Sequence, residues 1–225
     1  MSSIKVVSLL ADAQVLLSDT SGTRWPLLEL QAWLNAGYRE LVNVRPDANV
    51  LVGTFNCALG ARQDIASQFT NASRLLEVVR NMAATSNKSA IILVDRHSLD
   101  DQRSNWTTDP ASISIDNYVY DPRVITQFLV YPPAASGAQV EVIYYAVPDP
   151  HALTLSQLQN TSTAETIRVA DIYANCLLDY MLFRAFSKDS DNPAMASRAA
   201  AHYQAFGAFL TAKTTVDGAT KPGAA

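Results

Sequence analysis

The sequence predicts an α+β fold in which a four-helix bundle carries a β-rich lobe. Apolar residues recur with a helical period near both ends of the chain, whereas short runs of β-branched and aromatic residues fill its centre. Neither terminal helix pair can bury its apolar stripe alone, so the simplest closure packs all four helices together. We therefore predict a bundle from residues 1–48 and 151–215, an inserted antiparallel β-rich lobe over 49–150, and a flexible tail over 216–225.

The N-terminal helix pair is indicated by its periodicity and its end signals. Ser3 is the expected N-cap of a first helix, which the turn-forming stretch SDTSGTRW ends. Pro26 suits the first turn of a second helix, which Pro46 brings to an end. Gly37 lies on the apolar face of the second helix, where we expect a neighbouring helix to approach closely. The opposite, outer face carries Glu29, Gln31, Asn35, Arg39 and Glu40.

Five short runs in the centre of the chain indicate strands. They are NVLVGTFNCAL, RLLEVVRNM, SAIILVD, ITQFLVYPP and QVEVIYYAVP. The last two are expected to form a hairpin joined at residues 134–137. The polar stretch HSLDDQRSNWTTDP, residues 97–110, is expected to be a loop with one helical turn.

The C-terminal helix pair has its own start signals. Ser162 and Glu165 match a capping box, which predicts a helix that continues to about residue 186. Asn192 and Pro193 fit the N-cap and the first position of the last helix. The final stretch, TTVDGATKPGAA, has no apolar period and is expected to be mobile until a partner holds it.

The composition limits the classes of function. The chain has 225 residues, 48% of them hydrophobic, and a net charge of −4. This charge disfavours a protein that grips nucleic acid through a basic face, but it suits a wall past which DNA moves without specific binding. Cys57 and Cys176 are expected to be reduced thiols. The N-terminus lacks the layout of a signal peptide, and no stretch is apolar enough to predict a membrane span.

The sequence contains no motif for catalysis, a cofactor or a phosphate-binding loop, so we predict no enzyme, cofactor or metal site. One alternative is a metal-dependent hydrolase that uses Asp95, His97 and Asp100, because carboxylates near a histidine can bind a metal. The other is a soluble regulatory binding module. His151 is expected to be exposed in a linker, and His202 to have a packing or capping role.

Several stretches of the chain also show a family likeness. They are RWPLLELQAWLNAGYRELVNVRPDA, the strands FLVYPP and VEVIYYAVP, and the closing helices LLDYMLFRAFSKDS and ASRAAAHYQAFGAFLTAK. Together they resemble tailed-bacteriophage head–tail adaptor proteins, also called neck connectors or head completion proteins. The likeness is spread over most of residues 4–215.

The resemblance implies a structural virion protein rather than an enzyme. Such proteins form an oligomeric ring, typically of twelve copies, that joins the capsid portal to the next neck or tail protein. The ring extends the channel used in genome ejection, sits in the neck at the portal vertex of the virion, and is assembled in the host cytoplasm without a membrane.

The resemblance makes three surfaces of this chain candidate contacts. The outer face of the second helix is the candidate subunit interface, and the C-terminal segment is the candidate portal-docking site because a mobile segment can order on binding. The docking residues are Lys213, Thr214, Thr215, Val216 and Asp217. The candidate tail-side loop contains His97, Asp100, Asp101, Arg103 and Trp106.

Overall fold

The computed structural model describes residues 2–86, 88–188 and 191–219. Over these residues the chain has six α-helices and two β-sheets, which confirms that the fold is α+β. The chain divides into two compact units: a helical unit, Met1–Ala48 with Pro148–Ala225, and a β unit, Asn49–Val147.

The helices differ in length and in the unit to which they belong. They are α1 (Val6–Leu16), α2 (Leu27–Val44), α3 (Arg96–Gln102), α4 (Leu155–Gln159), α5 (Ala174–Ser187) and α6 (Pro193–Ala219), of which only α3 lies in the β unit. Helix α5 packs against α1, α2 and α6, and all four contribute to one apolar core. No helix in the described part of the chain is both long and apolar enough to cross a membrane.

Helices α2 and α5 approach closely at Gly37, as the sequence predicts. A Cβ atom at this position would lie 3.2 Å from side-chain atoms of both Leu177 and Tyr180. That distance is tighter than ordinary van der Waals contact, so a larger residue would push the two helices apart.

The predicted start of the first helix is wrong. Helix α1 begins at Val6, and Lys5 rather than Ser3 occupies its N-cap position. Ser3 instead donates its backbone N–H to Asp171 Oδ1 at 2.9 Å and its hydroxyl to Oδ2 at 2.6 Å. The Asp171 carboxylate also accepts from the hydroxyl of Ser2, so it fastens the N-terminal segment.

The predicted capping box at residues 162–165 is also wrong. Residues 165–167 pair with the N-terminal segment in an extended conformation: the Val6 N–H donates to Glu165 O, and the Ile167 N–H donates to Ile4 O, both at 2.9 Å. Extended backbone cannot form the first turn of a helix, and α5 begins only at Ala174. A capping box does occur earlier, where Thr154 caps α4.

The last helix is longer than predicted. Asn192 Oδ1 accepts the Ala194 N–H at 3.0 Å, as expected of an N-cap, and the helix continues to Ala219, beyond the predicted boundary at residue 215. Residues 220–225 of the predicted flexible tail lie outside the described residues.

The β unit contains seven strands among its described residues. They are β1 (Val50–Asn56), β2 (Gly60–Asp64), β3 (Ala72–Asn81), β4 (Ile92–Leu93), β5 (Asn117–Tyr120), β6 (Gln127–Ala134) and β7 (Gln139–Ala146). One sheet has the order β1-β7-β3, and the other has the order β2-β6-β5-β4. All pairs are antiparallel except β4 with β5, which is parallel.

The predicted hairpin of the last two strands is wrong, because β6 and β7 belong to different sheets. The turn between them carries the chain across the core: Ala134 and Ala138 are both buried. Around the turn the Ala135 N–H donates to Ser112 O, and Ala138 O accepts the Cys57 N–H. Side chains from both sheets share one core.

The free edge of β1 is half covered by one side chain. Gln68 Oε1 accepts the backbone N–H of Asn56, and Gln68 Nε2 donates to the carbonyl of Thr54, both at 2.8 Å. The side-chain amide therefore takes the place of a neighbouring strand over this half of the edge. Val50 and Val52 lie on the remaining half, with exposed side chains.

Candidate functional site

The outer face predicted for α2 has two parts. One of them binds the linker between the β unit and α4, residues 148–154. Gln31 is buried; its Nε2 donates to Leu153 O at 3.2 Å, and its Oε1 accepts the Leu153 N–H at 3.0 Å. Asn35 forms the same pair of bonds with the backbone of His151, at 3.0 and 2.8 Å. Residues four apart lie on the same side of a helix. The two amides therefore hold the linker as a strand edge would, and the predicted exposure of Gln31 is wrong.

His151 is also buried, which corrects its predicted exposure, and it is the centre of a polar network. The Tyr38 hydroxyl accepts the Arg168 N–H at 3.2 Å, so its own proton is available for Nε2 of His151, 2.9 Å away. The Nδ1 proton of a neutral His151 is then donated to Glu165.

The environment of this network shifts three pKa values. Burial lowers the pKa of His151 and raises the pKa of Tyr38 to about 12. Burial also opposes ionisation of Glu165, but hydrogen bonds from His151 and Arg168 outweigh it, and the pKa of Glu165 is lowered. The favoured state is a neutral histidine between a neutral tyrosine and a carboxylate. Its bonds connect α2 with His151 before α4 and with Glu165 and Arg168 after it.

The other part of the α2 face is accessible. Residues spaced by three and four positions lie in one line, which we call the α2 stripe. The stripe consists of Leu28, Ala32, Ala36, Arg39 and Asn43. Of its members only Ala36 is half-buried. Glu29 and Glu40 flank the stripe on one side; Glu29 is 2.8 Å from Lys188 Nζ, and Glu40 accepts the Tyr203 hydroxyl at 3.4 Å.

The candidate tail-side loop contains α3 and a short 3₁₀ turn, so it is more ordered than predicted. Trp106 is buried, and its indole N–H donates to Asp100 at 2.8 Å. Arg103 lies 2.8 Å from Asp109. Three of the five predicted residues, His97, Asp101 and Arg103, are exposed. Trp106 therefore anchors the loop, and the exposed residues are the ones a partner can reach.

The candidate ligands of the metal-dependent alternative have structural partners. Asp95 caps α3 by accepting the His97 N–H at 3.0 Å, and Asp100 holds the Trp106 indole. Across the residues that the structure describes, no group of three His, Cys, Asp or Glu side chains could hold a metal ion.

The remaining predicted residues lie in α6 or in the two cores. Lys213 is half-buried, and residues 214–217 continue the helix rather than forming an irregular segment. His202 Nδ1 is 2.9 Å from Asp179, and its ring stacks on Phe186, which agrees with the predicted packing role. Cys57 and Cys176 are free thiols, and burial raises the pKa of each to about 12.

Comparison with known families gives one match that covers both units. A family model described as SU10 adaptor protein matches residues 4–224. No curated protein matches the chain.

Proposed function

The chain belongs to the SU10 adaptor protein family and is a phage head–tail adaptor, as its sequence resemblance predicts; on this premise we propose that it forms a ring between the capsid portal and the next neck or tail protein. The ring has twelve copies and extends the DNA channel at the portal vertex. The observation that carries the proposal is the extent of the match, which includes nearly the whole chain. The role is structural, and the protein is incorporated into the virion after assembly in the host cytoplasm.

The helical unit supplies the contacts between copies in this proposal. Helices α1, α2, α5 and α6 act as one four-helix bundle, and the β-rich lobe is inserted in the sequence between α2 and α5. The α2 stripe supports this role because it is accessible although it adjoins a tightly packed core. The flanking residues Glu29 and Glu40, together with Arg39, give the surface charges of both signs, which fix the register of a contact.

The charge of the chain supports a channel that does not retain DNA. The net charge is −4, so a ring of many copies carries a substantial negative charge. Phosphate groups are repelled by such a wall, and DNA passes without specific binding.

Two further surfaces contact other virion proteins in this proposal. The end of α6, Lys213 with residues 214–217, docks onto the portal. The exposed residues of the loop anchored by Trp106, among them His97, Asp101 and Arg103, meet the tail-side protein.

The proposal is tested by negative-stain imaging of the purified protein, alone and mixed with its portal. We expect a ring at the narrow end of the portal. A protein that stays monomeric and unbound beside an intact portal would refute the ring, and its absence from purified particles would favour a regulatory protein.

The docking assignment is tested by deleting residues 214–225. We expect the truncated protein to lose its association with the portal. A matched control, His97→Ala with Asp101→Ala in the exposed loop, is expected to keep portal association and to lose the tail-side partner. Unchanged association of the truncated protein would refute the docking assignment without refuting the ring.

A further inference from the structure

A groove runs along α5 between α1 and α6. Its volume is about 420 Å³. Its lining is apolar at Leu16, Leu178, Leu182 and Phe186 and polar at Asn175, Asp179, Arg198 and His202, and Asp179 is paired with His202 Nδ1 at 2.9 Å. Leu182 and Phe186 are buried and form the floor, whereas Leu16 on the α1 rim is 56% exposed. A groove with helices on both sides and an apolar floor has the form that receives another helix.

The α2 helix of the same copy does not occupy this groove. At Gly37 it packs against Leu177 and Tyr180, which lie roughly 140–160° around α5 from Leu182. The α2 stripe in turn points roughly 140° away from Gly37. The groove and the stripe are therefore accessible on different sides of the helical unit, and one copy can use both at once.

The charges of the groove and the stripe are complementary. Arg198 on the α6 rim rests 5.7 Å from the Phe186 ring and makes no ion pair with another described residue. Asp12 lies one turn before Leu16 on α1, is exposed, and also has no ion pair within the described ranges. The groove therefore has a basic rim and an acidic rim.

The α2 stripe has the matching arrangement. Glu40 lies on the acidic side of the stripe. Arg39 is exposed and projects roughly 100° around the helix from Glu40. A stripe seated in the groove with its acidic side toward α6 has Glu40 on the side of Arg198 and Arg39 on the side of Asp12. Ala32 and Ala36 at its centre allow the close approach of another helix.

We propose that the α5 groove of one copy receives the α2 stripe of a second copy. Each copy then donates one surface and receives the other, so the contact is heterologous and repeats head to tail, as ring closure requires. This inference rests on the proposed ring and specifies which surfaces form it.

The test uses two substitutions at exposed positions, Leu16→Arg in the groove and Ala32→Arg in the stripe. Each variant alone is expected to lose ring formation. An equimolar mixture is expected to give a one-to-one heterodimer, because a single pair of intact surfaces remains. Size-exclusion chromatography with light scattering measures the masses, and circular dichroism verifies the fold. Ile172→Arg, a control at another exposed apolar residue of the helical unit, is expected to keep the ring.

A charge exchange tests the orientation of the contact. Asp12→Arg is expected to abolish the ring, and adding Arg39→Asp to the same chain is expected to restore it. Rings formed by both arginine variants, or a mixture that stays monomeric, would overturn this pairing and leave the ring itself intact. Absence of rings from the wild-type protein, alone and with portal, would instead refute the proposed function and this inference with it.

Discussion

Replacing Tyr38 by phenylalanine removes one hydroxyl from the polar network of the helical unit while keeping the ring. The hydroxyl donates to His151 Nε2 at 2.9 Å and accepts the Arg168 N–H at 3.2 Å. The histidine is buried, and a buried polar atom left without a partner costs about 1–3 kcal/mol. Loss of the hydrogen bond from the Arg168 N–H adds less to the loss of stability, because this residue is exposed and water can replace the lost partner. We expect the free energy of unfolding of the helical unit to fall by about 1–3 kcal/mol.

The assay is urea unfolding at pH 8, followed by circular dichroism at one fixed protein concentration. For a chain of this size 1 kcal/mol corresponds to about 2–4 °C in Tm, so thermal unfolding gives a second readout. The matched control is Tyr203→Phe, whose ring is 45% exposed and whose hydroxyl is 3.4 Å from Glu40. The control is expected to change the free energy by less than about 0.5 kcal/mol. An equal loss of unfolding free energy in the two variants would show that burial of the network does not determine how much stability the hydroxyl contributes.

Three further predictions concern other parts of the molecule. Burial lowers the pKa of His151, so as the pH falls the histidine is protonated in the unfolded chain before it is protonated in the folded one. Its contribution to stability is therefore complete above pH ~6.5 and is lost as the pH falls through the folded pKa. A His151→Gln variant with an unchanged slope of stability against pH would contradict this. Gly37→Val is expected to destabilise the protein by about 1–3 kcal/mol through overpacking. Gly207→Ala, where a Cβ meets nothing within 4 Å, is expected to stabilise it by about 0.5–1 kcal/mol. Thermal unfolding measures both, and equal shifts in Tm would contradict the packing argument. Asp100→Ala is expected to cost about 1 kcal/mol and to red-shift the fluorescence of Trp106, and an unchanged spectrum would show that the indole keeps its environment.

Helices α2 and α6 could be predicted from the sequence because their signals are local. The apolar period of α2 and the prolines at positions 26 and 193 act within a few residues, and the structure begins both helices at or beside these prolines. The strand β2, with the sequence GARQD, could not be predicted in this way. It has no apolar run, and its conformation depends on pairing with β6.

The polar contacts of the helical unit could not be predicted because their partners are distant in sequence. Gln31 and Asn35 look like solvent-facing residues on a helical wheel, but each binds backbone more than 100 positions away. Glu165 has the spacing of a capping box, yet its carboxylate contacts His151 and Arg168. A periodicity argument identifies which side of a helix is polar, and only the tertiary fold decides whether that side meets water or backbone.

The Gln68 amide on the edge of β1 limits how copies of this protein can associate wrongly. An uncovered strand edge offers a row of backbone groups to any other extended chain, and the hazard grows when identical chains are concentrated in one place. With Thr54 and Asn56 already bonded, only the Val50 and Val52 end of the edge remains for such pairing. An added strand could form only a few backbone hydrogen bonds with so short an edge. The Gln68 side chain therefore disfavours aggregation of crowded copies through pairing of their strand edges.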